Sequence, residues 1–84
     1  MEINQIGNAM KMIRNSKNMS LEQESELLGI HRNTLALYEN NPENMSLGLL
    51  SKFLEIHNMS RDIFFKIVYD NSLMNFAETK EKEQ

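Results

Sequence analysis

Cysteine is absent from the 84 residues, which excludes disulfides, thiolate metal sites and cysteine nucleophiles. Two isolated histidines leave too few ligands for a histidine-based metal site. The single proline and three glycines, with no biased repeat, describe a globular chain rather than a linker or a low-complexity segment. No apolar run approaches the length that spans a bilayer, and no basic-then-apolar stretch opens the chain. The expectation is a cytoplasmic protein with no membrane partner. Glycine-rich phosphate loops, paired carboxylates and a histidine spaced to activate a serine are all missing, so neither catalysis nor a cofactor is expected. Positive charge is also scarce. The formal net charge of −3 argues against indiscriminate phosphate binding.

What is present is helical periodicity. A chain of this length forms one domain and buries about three-fifths of the surface its unfolded form exposes. A first helix is predicted from about Gln5 to Ser16, with Asn4 as its cap. Ile6, Met10 and Ile13 recur at helical spacing, and Met12 is an edge contact. Ser20 and Gln23 form a capping box for a second helix, which carries Glu22 and Glu24 in its opening turns and stops at Gly29. After the short link Gly29-Ile30-His31, a third helix is predicted over about Arg32 to Glu39, with Leu35 and Tyr38 on one face and Leu37 on another. Asn40 to Asn44, with Pro42 among them, reads as a loop.

Ser46 is the expected cap of a fourth helix, about Leu47 to Ile56, with Leu47, Leu50, Phe53 and Leu54 on one stripe. Asn58 suits a left-handed stop, and Ser60 caps a fifth helix over about Arg61 to Tyr69. Ile63, Phe64, Phe65, Ile67 and Val68 cover more than one face of that helix, so a second surface to bury is one explanation and a complete core is the other. Beyond Asp70, Leu73, Met74, Phe76 and Ala77 allow one more turn or two before a charged end. The expected architecture is all-α, a compact five-helix domain over residues 1–70 with an extension over 71–84, partly helical or disordered. Two helices joined by Gly-Ile-His suggest a helix-turn-helix.

Read together, Ile6-Gly7, Met10, Ile13-Arg14, Ser20, Leu28-Gly29-Ile30, Thr34-Leu35, Tyr38-Glu39, Ser46-Leu47, Leu50 and Phe53 resemble the Cro and lambda-type repressors, the XRE-type helix-turn-helix family. The match runs over about residues 6 to 65 without an insertion. The resemblance implies a second helix crossing the DNA backbone and a third lying in the major groove. It implies an ion pair between Arg14 and Glu39, a structural role that removes Arg14 from the DNA ligands. It places the reading residues at the start and outer face of the third helix. Arg32 forks onto guanine, Asn33 pairs with adenine or holds a phosphate, and His31 and Thr34 donate to phosphate. Leu37 and Ala36 offer apolar surface, and Leu21 and Lys17 complete the set.

Departures from the family pattern matter as much. Leu21 stands where glutamine is common, and Glu24 and Ser25 fill hydrophobic and alanine positions, so a partly buried glutamate needs a partner or water. His31 replaces the usual Ser or Thr cap. Residues 21–39 carry Glu22, Glu24, Glu26 and Glu39 against Arg32 alone, a local balance of −3 (four acidic, one basic). A single copy therefore has few cations to set against phosphates.

Two functions follow. One is a sequence-specific transcriptional regulator of the phage-repressor type, bound to double-stranded DNA as a homodimer through Phe64, Phe65, Val68 and Leu73. The other is an antirepressor or modulator that uses the same fold to bind a partner repressor protein.

Overall fold

The computed structural model describes residues 2–70. Five α-helices and no strand are found among them. They are α1 (Ile3–Ser16), α2 (Leu21–Leu28), α3 (Arg32–Asn40), α4 (Leu47–Ile56) and α5, helical over 61–70. The extension expected over 71–84, including Leu73, Met74, Phe76 and Ala77, lies outside the described residues. No helix among the described residues is long and apolar enough to cross a membrane.

Most helix ends are set by side chains three residues apart. Ser20 Oγ accepts from the Gln23 amide at 3.0 Å while Gln23 Oε1 accepts from the Ser20 amide at 2.9 Å. Ser46 and Ser60 accept from the amides of Leu49 and Ile63 in the same way, at 3.0 and 3.2 Å. Gly29 and Asn58 take left-handed φ of 73° and 51°. The start of α1 differs from expectation. Gln5 Oε1 accepts from the Glu2 amide at 2.9 Å, so the helix begins at Ile3 and Asn4 lies inside it rather than capping it. The segment expected as a loop is ordered too. α3 runs on to Asn40, and Asn41 Oδ1 accepts from the Glu43 amide at 3.2 Å to start a 3₁₀ turn, Pro42–Asn44, whose proline is buried.

The core gathers Ala9, Met10 and Ile13 of α1, Leu28, Leu35, then Leu50, Phe53 and Leu54 of α4 with Phe64 and Val68 of α5. Two expectations are corrected here. Leu47, placed on the buried stripe of α4, is 84% exposed, because the first helical residue sits a turn short of the surfaces that cover Leu50 and Leu54. Phe64 and Val68, assigned to a dimer surface, are completely buried within their own domain. Residues four apart on a helix share a face, and theirs closes this core. Phe65, 38% exposed, stays on the neighbouring face.

Gly7 governs how closely α1 approaches the end of α3. A Cβ built there would lie 2.5 Å from the carbonyl oxygens of both Tyr38 and Glu39. Main-chain atoms cannot rotate away as a side chain tip can, so the two helices would have to separate. Gly7→Ala is therefore expected to destabilise the domain by about 1–3 kcal/mol or more, despite the higher helix propensity of alanine. Urea denaturation of the variant measures this directly, and a neutral result would contradict the packing described.

Candidate nucleic-acid interface

α2 and α3 are joined by a turn that leaves little freedom. Gly29 takes the left-handed conformation, and the amides of Gly29 and Ile30 donate to the carbonyls of Glu26 (3.2 Å) and Ser25 (3.0 Å). Lys52 of α4 donates from Nζ to the last carbonyl of α2, Leu28, at 3.2 Å, placing a cation where the helix dipole favours one. Ile30 is half-buried and packs against the core. α3 then starts with an unusual cap. His31 Nδ1 accepts from the Asn33 amide at 3.1 Å. A ring nitrogen that accepts carries no proton, so a neutral His31 bears its proton on Nε2, where it can donate outward.

This cap presents the first turn of α3 to solvent. His31, Arg32 and Asn33 are exposed, and Leu37 follows one turn later at 59% exposure. Thr34 and Ala36 are half-buried at the flank of that surface, and the Ala36 carbonyl accepts from Asn40 Nδ2 at 3.0 Å. Lys17 is exposed at the end of α1. Leu21, at the start of α2, is half-buried, packing against the core while leaving part of its surface exposed.

Behind the exposed turn, the unit is fastened by two buried side-chain pairs. Arg14 Nε and Nη2 donate to the two carboxylate oxygens of Glu39 at 2.8 and 3.0 Å, while Nη1 donates to the Met19 carbonyl at 2.7 Å. One guanidinium thus joins α1, the turn before α2, and the end of α3. The Glu39 hydrogen bonds raise the Arg14 pKa above arginine's already high ordinary value, outweighing the opposing effect of burial. The second pair joins α2 to the end of α4. Glu24 is wholly buried, and its Oε1 is hydrogen-bonded to His57 Nε2. The His57 ring in turn lies 4.5 Å from the Phe53 ring, tilted by 48°. Glu24 Oε2 has no hydrogen-bond partner among the described residues.

The sequence marks Glu24 as a residue that needs a partner, but nothing in it points to His57. His57 does end α4, and it is buried there. The two lie 33 residues apart, and no local spacing links them. Ser25, the other unusual residue in this stretch, is buried and donates from Oγ to the Glu22 carbonyl of its own helix at 3.0 Å. The acidic balance of the unit changes accordingly. Glu24 and Glu39 point inward and are paired, leaving Glu22 and Glu26 as the exposed carboxylates of α2.

A family model described as helix-turn-helix matches residues 10–64 of the chain. Among curated proteins, antitoxin HipB of Escherichia coli O6:H1 (strain CFT073) is 35% identical over 51 residues, which cover 61% of this chain and 54% of that protein. Antitoxin HipB of Escherichia coli strain K12 is 33% identical over 51 residues, covering 61% and 58% respectively. The chain thus spans little more than half the length of the curated relatives it matches.

Proposed function

The chain belongs to the helix-turn-helix family, of the XRE type found in Cro and lambda-like repressors, a family of DNA-binding transcriptional regulators, and from this we propose that it is a sequence-specific regulator of the phage-repressor type. It reads the major groove of double-stranded DNA with α3, as a dimer, in the cytoplasm, through the domain of residues 1–70. The observation that carries this reading is the exposed Arg32 on the first turn of α3, held outward by a helix that is capped, tied at its far end by Glu39, and unable to tilt freely. Arginine in that place can fork onto O6 and N7 of guanine. Asn33 beside it suits adenine or a phosphate, His31 Nε2 and the Thr34 hydroxyl suit phosphates, and Leu37 suits a thymine methyl.

Affinity is expected to depend strongly on salt and to be modest for a single copy, because Lys17 and Arg32 are the main cations this surface offers. Gel shifts across a genomic library at several salt concentrations test the reading. Arg32→Ala is expected to cost about 1–3 kcal/mol at the preferred sequence and to relax the choice of base at one position. Lys17→Ala should weaken binding to all sequences alike and lower the salt slope by about one. If the intact chain binds no sequence selectively even at low salt, the reading is wrong.

A second reading rests on Leu37, a large exposed apolar side chain at the centre of the reading surface, with Leu27 of α2 also more than half exposed. Such a surface suits a protein partner, and both similar proteins are named as antitoxins. On this reading the chain is an antirepressor or modulator whose exposed Glu22 and Glu26 face the basic surface of a partner repressor. Absence of DNA binding together with a stable complex with such a repressor would favour it.

A further inference from the structure

The reading helix is closed differently from its neighbours. Ser20, Ser46 and Ser60 cap α2, α4 and α5, each accepting through one hydroxyl oxygen from the amide three residues on. α3 is closed by an imidazole, whose Nδ1 accepts from the Asn33 amide at 3.1 Å. A serine would cap with its only polar side-chain atom. An imidazole has a second nitrogen on the far side of the ring, so one side chain can close the helix and still hold a group for a ligand. His31 is exposed, and its Nε2 makes no hydrogen bond among the described residues.

The cap fixes what that free nitrogen offers. An imidazolium carries a proton on both nitrogens and cannot accept from the Asn33 amide, so the cap and a charged ring exclude one another. With Nδ1 committed, the only proton of the ring lies on Nε2. The outward group is therefore a donor without charge. It complements an acceptor, either a phosphate oxygen or N7, O6 or O4 on a base edge, and it cannot accept from the amino groups of adenine and cytosine. Being neutral, it displaces no counterion when it meets DNA, unlike Lys17 and Arg32.

We propose that His31 is a positioning and specificity-determining residue of the reading surface, a neutral imidazole whose outward Nε2–H meets an acceptor on DNA because its Nδ1 is held by the cap of α3. The contact to DNA and the start of the reading helix are thereby one unit. This deepens the DNA-binding reading and rests on it, while the cap itself is measured without DNA.

Amide hydrogen exchange on the free chain, and gel shifts with duplexes recovered from the genomic library, test both halves. His31→Ser supplies the kind of oxygen that caps α2, α4 and α5 but does not reach as far as Nε2. It should keep the Asn33 amide protected, weaken DNA binding about two- to tenfold, and leave the salt slope unchanged near neutral pH. Equal weakening on all sequences identifies a phosphate as the acceptor, and a relaxed choice at one position identifies a base edge. Either fits the proposal. His31→Gln carries a donor at about the reach of Nε2 but is a poor cap. Its Asn33 amide should exchange about fivefold faster or more, and its affinity should stay below that of the wild type, because an uncapped donor is not oriented.

The proposal is overturned if His31→Ser binds as tightly as the wild type. Full affinity in His31→Gln with an unprotected Asn33 amide also overturns it, since the contact would then not depend on the cap. So does a salt slope lowered by about one in His31→Ser, the mark of a charged ring in the complex. A chain that binds no DNA removes the outward contact together with the DNA-binding reading, whereas Asn33 exchange that is the same in wild type and His31→Gln overturns the cap alone.

Discussion

His57→Ala is expected to lower the free energy of unfolding by about 3–5 kcal/mol, because it leaves a buried carboxylate with no protein partner. Glu24 is wholly inaccessible, Oε1 relies on His57 Nε2, and Oε2 already has no hydrogen bond among the described residues. For a domain of this size, with a total stability of about 5–10 kcal/mol, such a loss approaches unfolding. The effect is conditional on the charge that remains. Glu24→Leu in the His57→Ala background keeps roughly the volume of the side chain and removes the stranded carboxylate, so the double variant should recover most of the loss. Glu24→Leu alone strands an imidazole instead, at a smaller cost of about 1–3 kcal/mol. Urea denaturation of the four proteins completes a double-mutant cycle. Additive losses would show that the pair contributes no coupling and that His57 matters only as a packed ring.

Arg14→Ala should be comparably damaging, by about 3–5 kcal/mol, for a related reason and with a different consequence. It strands Glu39, which is buried at the end of α3, and it frees the Met19 carbonyl ahead of α2. The three elements joined by one guanidinium are those that set the tilt of the reading helix. Arg14→Lys discriminates charge from geometry. Lysine keeps the charge but cannot reproduce two parallel bonds to the carboxylate together with a third to the Met19 carbonyl. We expect it to lose about 1–3 kcal/mol of stability and to bind DNA more weakly than the wild type even well below its melting temperature. Lysine restoring full stability would mean that charge alone suffices.

The pH behaviour of this pair follows from its arginine. A folded-state pKa raised above the ordinary value gives a contribution that is complete at every pH below that ordinary value. It fades only as pH rises through the raised one, in strong alkali. From the arginine side the tie is therefore constant across the neutral range.

Local spacing was enough to read most of the helix boundaries. Ser20 with Gln23, Ser46, Ser60, Gly29 and Asn58 act through atoms no more than a few residues away, so their effect is already present in the order of residues. The start of α1 departs from the expectation because glutamate is a less common cap than asparagine, and here Glu2 and Gln5 together form a capping box. The resemblance placed Arg14 with Glu39, 25 residues away, and the fold gives the pair its forked geometry. Periodicity could not tell which apolar face of a helix is used. Leu47 and Val68 are equally hydrophobic, yet one is exposed and the other wholly buried, because burial depends on which elements lie opposite.

From its own order of residues this protein determined an all-helical domain, the turn between α2 and α3, and an exposed Arg32 at the start of the reading helix. Its low positive charge was legible as well. Tertiary structure alone decided what that charge means. Two of the four glutamates in the reading unit turn inward and are paired, one with an arginine of α1 and one with a histidine at the end of α4. Tertiary structure also took Phe64 and Val68 into the core, while Phe65 stayed exposed as expected and Leu47 was left outside. Both outcomes have one physical cause: the environment of a side chain is fixed by distant elements brought alongside it, and no spacing along the chain encodes that approach.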